Sequence, residues 1–251
     1  MTLLSTGTFT EDDYTYTGDS EFINEGNGNW IVEFTTSGIL TLKKTLLVDM
    51  YLLGGGQGGY SGDHWGGGYH GDDYYAGGKG GQGGFITFVY RASLLPGTYE
   101  ITIGDGGTTG NGVAGGATEF AGHQAPGGGS NSQGYAGGAL GGISGQGRGS
   151  WTPYEGGQGN DSTVDDFTGE NRGGGGSGGY SAKKEYYGGW SYNFVDEGGG
   201  SKGGGHAQDA PTGSGGKATE ATTNYGGGGF GGTNGTGHAG SSGVVQIRNA
   251  R

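Results

Sequence analysis

Glycine fills 72 of the 251 positions, and it comes in short runs such as 54–59, 173–176, 198–200 and 226–229. Glycine has no side chain to bury and loses more backbone entropy on folding than any other residue. A chain of this kind therefore stays a flexible coil or folds through backbone hydrogen bonds. Collagen is excluded, because glycine does not recur at every third position and there are only 4 Pro.

The aromatic load argues for the ordered alternative. The chain carries 16 Tyr, 9 Phe and 4 Trp, which flexible linkers lack. Residues 30–53 read as three strands with turns at Ser37-Gly38 and Lys43-Lys44. Further strands are expected at 84–91, at 99–103 after the Pro96-Gly97 turn, and at 243–248. Phe9, Tyr14, Tyr16, Phe22 and Ile23 add one or two edge strands. No segment has the length and periodicity of a stable helix. The last strand has too little apolar surface to stand alone, so it is expected to return to the N-terminal sheet.

That return makes the glycine-rich chain an insertion anchored at both ends. Such an insertion can satisfy its backbone as polyglycine II, which shares the polyproline II geometry of about 3 residues per turn and points each N–H and C=O sideways at a neighbour. Glycine is required wherever the neighbours come too close for a Cβ. About eight runs are long enough to be rods, roughly 20 to 25 Å each at about 3.1 Å per residue.

The formal charge of −12 opposes binding to nucleic-acid phosphates or anionic lipid, so neither is expected as a partner. Without cysteine there is no disulfide scaffold and no thiolate chemistry. No apolar run approaches the roughly 20 residues of a membrane-crossing helix. The N-terminal residues lack the basic and apolar regions of a secretory signal. Residence in the cytosol, or release by lysis within a virus particle, fits these features.

Several motifs invite a chemical reading and fall short. Gly54, Gly56 and Gly59 spell GxGxxG after a strand, but no helix follows to receive a pyrophosphate. Residues 156–164 partly match a calcium-binding nonapeptide, in a single copy of a motif that works by stacking. Asp63, His64, His70, Asp72 and Asp73, and separately Asp165, Asp166 and Glu170, lack the spacing of a metal site. No nucleophile and base pair up, so neither an enzyme nor a cofactor or metal is expected.

Three loops between the runs are dense in rings. They hold Tyr60, Trp65, Tyr69, Tyr74 and Tyr75; Trp151 and Tyr154; and Tyr186, Tyr187, Trp190, Tyr192 and Phe194. Rigid amphipathic rings among Asp, Asn, Ser and Gly are the chemistry of recognition loops. The same rings could instead cap the bundle or pack between subunits.

The order of motifs carries a family resemblance. Tyr51-Leu-Leu-Gly-Gly-Gly is followed by Gly83-Gly-Phe-Ile-Thr-Phe, then Leu95-Pro-Gly-Thr-Tyr-Glu-Ile-Thr-Ile-Gly-Asp-Gly-Gly, Gly116-Ala-Thr-Glu-Phe and Gly243-Val-Val-Gln-Ile-Arg. This resembles the glycine-rich domain of bacteriophage tail and other virion proteins, over about residues 30–248. It is similar, more loosely, to the tip adhesins of phage tail fibres and to the glycine-rich domain of anaplastic lymphoma kinase.

The resemblance implies an all-β fold, a jelly-roll or tumour-necrosis-factor-like β-sandwich with an inserted polyglycine II bundle. The expected division is 1–53, 84–103 and 243–251 for the sandwich, and 54–83 and 104–242 for the insertion. It implies a virion structural protein in the phage tail fibre or tail tip that helps recognise the host surface. Its partners would be other virion proteins, further copies of itself in a homo-oligomer, and a bacterial surface receptor, either carbohydrate or outer-surface protein. A non-adhesive virion or head decoration subunit is one alternative. An ice-binding protein is another, disfavoured by 36 charged residues (12 Lys and Arg plus 24 Asp and Glu).

Overall fold

The computed structural model describes residues 9–65, 73–76, 78–130, 136–137, 163–169, 171–174, 182–184, 226, 228–229 and 237–251. The strands among them are Tyr14–Tyr16 (β1), Ser20–Gly26 (β2), Asn29–Phe34 (β3), Gly38–Leu42 (β4), Leu46–Leu53 (β5), Asp63–Trp65 (β6), Asp73–Ala76 (β7) and Phe85–Leu94 (β8). They continue with Gly97–Thr102 (β9), Thr118–Phe120 (β10), His123–Ala125 (β11), Ala136–Gly137 (β12), Thr163–Val164 (β13), Asn171–Arg172 (β14), Ala182–Lys184 (β15) and Val244–Asn249 (β16). The protein is all-β. Its described residues hold no α-helix, only a 3-10 turn at Glu11–Asp13.

Two antiparallel sheets make up the body, ordered β1-β4-β9-β10-β11 and β12-β8-β5-β16-β3-β2. They face each other across one core. Val32, Phe34, Val48, Met50, Leu52, Val245 and Ile247 of the larger sheet meet Leu40, Leu42, Ile101 and Phe120 of the smaller. Strand alternation sends Ile31, Tyr51, Leu53, Ile86 and Val244 to the opposite face of the larger sheet, where Phe167 covers them. Burial on both faces is why β5 is apolar at every position except Asp49.

The last strand, β16, lies in the middle of the larger sheet, with Val245 opposite both Phe34 of β3 and Leu52 of β5. The sandwich is larger than the sequence division gives it. Thr118–Phe120 and His123–Ala125 fall in the expected insertion, yet they form a hairpin on the edge of the smaller sheet with Thr118, Phe120 and Ala125 buried. Each of these strands is only three residues long, too short to show a period of two among glycines.

At one end of the sandwich, six strand ends run directly into glycine-rich chain. β5 leads into 54–60, β9 into 104–107 and β11 into 126–129, while 79–84 leads into β8, 113–117 into β10 and 237–243 into β16. Residues 54–60 are the hub of the bundle that these segments form. Gly54, Gln57 and Tyr60 donate their amides to the carbonyls of Phe85, Gln82 and Lys79; Gly55 and Gly58 donate to Gly116 and Val113; Gly56 and Gly59 donate to Ser241 and His238. The donor direction thus repeats every third residue. The carbonyls of Gly55, Gly56 and Gln57 accept from Gly128, Gly107 and Gly229 of three other segments.

The hub's six neighbours are the other five segments and the short piece that holds Gly226, Gly228 and Gly229, and they also bond to one another. Amide-to-carbonyl bonds from Gly81 to Gly229, Gly226 to Ser242, Gly240 to Gly107, Gly116 to Asp105, Gly115 to Gly128 and Phe85 to Pro126 close a ring around the hub. This is one segment surrounded by six, held by its backbone, and it needs glycine for steric reasons. A Cβ on Gly54, Gly55 or Gly58 would fall on the carbonyl oxygen of Pro126, Asp105 or Thr108. The backbone groups of a glycine-rich chain are satisfied here without a ladder of flat strands.

Two side chains finish the joinery. Gln57 is buried in the hub, where its Nε2 donates to Gly112 O at 2.8 Å and its Oε1 accepts from Gln82 N at 3.0 Å. Thr118, fully buried where bundle meets sandwich, donates its hydroxyl to Leu53 O at 2.7 Å and accepts from Gly104 N at 3.0 Å.

The insertion also returns to the sandwich partway along. β13 and β14 pair around a turn organised by Asp165, whose carboxylate accepts from Phe167 N and the Thr168 hydroxyl. Arg172, 2% exposed, ties this turn to the larger sheet, with Nε 3.1 Å from Asp165 Oδ2 and Nη2 2.8 Å from Glu33 Oε2. Gln246 Nε2 donates to the same Glu33 oxygen at 2.7 Å. Arg248 lies over the Phe167 ring, 3.9 Å from guanidinium carbon to centroid. The glycine-rich chain is therefore tied to the larger sheet through Arg172 as well as at its ends.

Candidate binding surface at the bundle end

The hub carries the chain away from the sandwich as far as Tyr60, whose amide makes the last bond to Lys79. Tyr60 is 37% exposed, its hydroxyl is 3.2 Å from Gln57 Nε2, and its ring occupies the space that a Cβ on Gly112 would need. This ring caps the bundle and keeps one side open to solvent. His238, whose carbonyl receives the Gly59 amide, sits half-buried at the same level, and burial pushes its imidazole below the ordinary value.

Just past Tyr60 the chain forms β6, which pairs antiparallel with β7, and β15 adds to the other edge of β7, giving the order β15-β7-β6. Residues 182–184, which precede the rings of the third aromatic loop, are thereby joined to the first loop in one sheet. Its register puts Trp65 opposite Tyr74 and Tyr74 opposite Lys183. The next row is His64, Tyr75 and Ala182, flanked by the pairs Asp63–Ala76 and Asp73–Lys184. Alternation along a strand places Trp65, Tyr74 and Lys183 on one face and His64, Tyr75 and Ala182 on the other.

The candidate residues are thus distributed in space. Trp65 and Tyr74 share one cross-strand row, Tyr75 stands in the next row on the other face, and Tyr60 caps the hub that leads into β6. Tyr69, Trp151, Tyr154, Tyr186, Tyr187, Trp190, Tyr192 and Phe194 lie outside the described residues. Phe167 and Arg172, which follow the rings of the second loop, lie against the sandwich instead. Lys183 is absent from the sequence-based set, since a three-residue strand paired to a distant loop leaves no local periodic signal.

The weaker motifs resolve into structure. The amides of Gly54, Gly56 and Gly59 are spent on Phe85, Ser241 and His238, which leaves none to cradle a phosphate. Asp165 is engaged by Arg172, Thr168 and the Phe167 amide, and the Asp166 carbonyl accepts from Arg248. Asp63 and Asp73 stand in separate rows, opposite Ala76 and Lys184. Burial raises the Tyr51 phenol, and the neighbouring Asp165 carboxylate adds to that effect.

A protein whose sheets give way at one end to a hydrogen-bonded glycine bundle defines a structural class in which backbone replaces side-chain packing. The chain belongs to the glycine-rich domain family, whose pattern it matches over residues 35–250. A search among curated proteins finds no match.

Proposed function

We propose that this chain is a bacteriophage virion structural protein, a tail-fibre or tail-tip component that contributes to host-surface recognition. The body is a jelly-roll, tumour-necrosis-factor-like sandwich, and the segments around residues 54–60 are a polyglycine II bundle; the donor direction that repeats every third residue supports this reading. The bundle is a stiff stalk, and the aromatic loops beyond it bind. Partners are other virion proteins, further copies of the chain, and a carbohydrate or outer-surface protein of the bacterium; the route out of the cell is host lysis.

One observation carries this reading. Residues 63–65 and 73–76 of the first aromatic loop and residues 182–184, which precede the rings of the third, meet in a single sheet past the end of the hub. A scaffold held by its own backbone leaves the chemistry of those loops free to serve recognition. Labelled antibody against the chain should decorate the tail of the phage that encodes it, and particles with both Trp65→Ala and Tyr74→Ala should adsorb more slowly to host cells. Label confined to the head, or unlabelled particles, would sink the proposal.

A further inference from the structure

Resting on that recognition role, we propose that the β15-β7-β6 sheet binds an acidic saccharide, with the Trp65–Tyr74–Lys183 row as its platform. The register sets these three residues side by side on one face across three strands. Adjacent strands lie about 4.8 Å apart, so the row spans roughly 10 Å, about the length of a disaccharide. Aromatic rings present a flat apolar surface with a negative π face, which suits the C–H face of a sugar ring. The third member of the row is a cation, which suits a carboxylate or phosphate on the next sugar.

Charge decides between the two lysines of β15. Lys184 shares its cross-strand row with the opposite charge of Asp73, whereas Lys183 stands in a row whose other members are uncharged. The chain as a whole carries −12, which would repel a polyanion at long range. Screening limits that repulsion to about 8 Å at physiological ionic strength, so a single local cation can govern a short acidic ligand. An acidic protein loop would also meet the lysine, but two rings at strand spacing fit the repeat of a sugar chain better than an irregular peptide.

The full chain is titrated by calorimetry with oligogalacturonate and with the same oligomer after reduction of its carboxyl groups. The acidic form should bind at least about tenfold more tightly, the scale of one charge-assisted hydrogen bond. Lys183→Gln and Lys183→Glu should each remove that preference, while Lys184→Gln keeps it; unchanged circular dichroism shows that the variants fold. Equal binding of the two oligomers, no binding of either, or preference retained in both Lys183 variants would overturn the inference. Tail labelling with no acidic preference would leave the recognition role standing, whereas acidic preference without tail labelling would overturn that role alone.

Discussion

Arg172 reaches Glu33 across 139 positions of sequence, with Nη2 2.8 Å from Oε2 and the arginine 2% exposed. The same guanidinium holds Asp165, which is fully buried. The pair fastens the middle of the insertion to the larger sheet of the sandwich.

Replacing Arg172 with Met should therefore destabilise the protein by about 3–5 kcal/mol, because it leaves buried carboxylates without their counter-charge. Urea unfolding measures this. Adding Glu33→Gln and Asp165→Asn should recover part of the loss, whereas a simple cavity at residue 172 would not be relieved by changing its partners.

Thr118 is the joint between sandwich and bundle. Thr118→Val keeps the shape but leaves Leu53 O and Gly104 N without the hydroxyl that serves both. Each buried group left without a partner costs about 1–3 kcal/mol, so a loss of at least roughly 2 kcal/mol is expected in the same unfolding assay. Thr118→Ser should cost clearly less.

Gly58→Ala tests the close approach within the bundle. Its Cβ would fall on Thr108 O, backbone that cannot swing away, and overpacking of this kind costs about 1–3 kcal/mol or more. Gly122, at φ +81° in the β10–β11 turn, has open space around it. Alanine there should cost only the left-handed backbone penalty of about 1–2 kcal/mol. The two thermal melts should rank accordingly.

Hydrogen exchange should find the amides of Gly55, Gly56, Gly58 and Gly59 protected like those of β5, since both sets are bonded and buried. Exchange at the rate of an open chain would mean that the ring around the hub does not persist in solution.

His238 gives a pH dependence. Burial lowers its value below 6.5, so between 6.5 and the lowered value the unfolded chain binds more protons than the folded one. Stability from this group is complete above 6.5 and declines as pH falls through that window. Urea midpoints should drop less with acidification in His238→Gln than in the parent; parallel curves would contradict this.

The sequence determined which parts of the chain could be strands, because β3, β5, β8 and β16 are long enough to show apolar character by themselves. It also determined that the rest must rely on backbone bonds, since a chain with 72 glycines has little else to offer. Tertiary structure decided what no local pattern encodes. Three-residue strands such as β10, β11 and β15 exist only because a partner supplies their hydrogen bonds. Arg172 became an anchor and Asp165 a turn centre through contacts made at long range. Glycine runs look alike along the chain, so which of them is the hub depends on the sandwich strands that deliver it and five of its six neighbours to the same place.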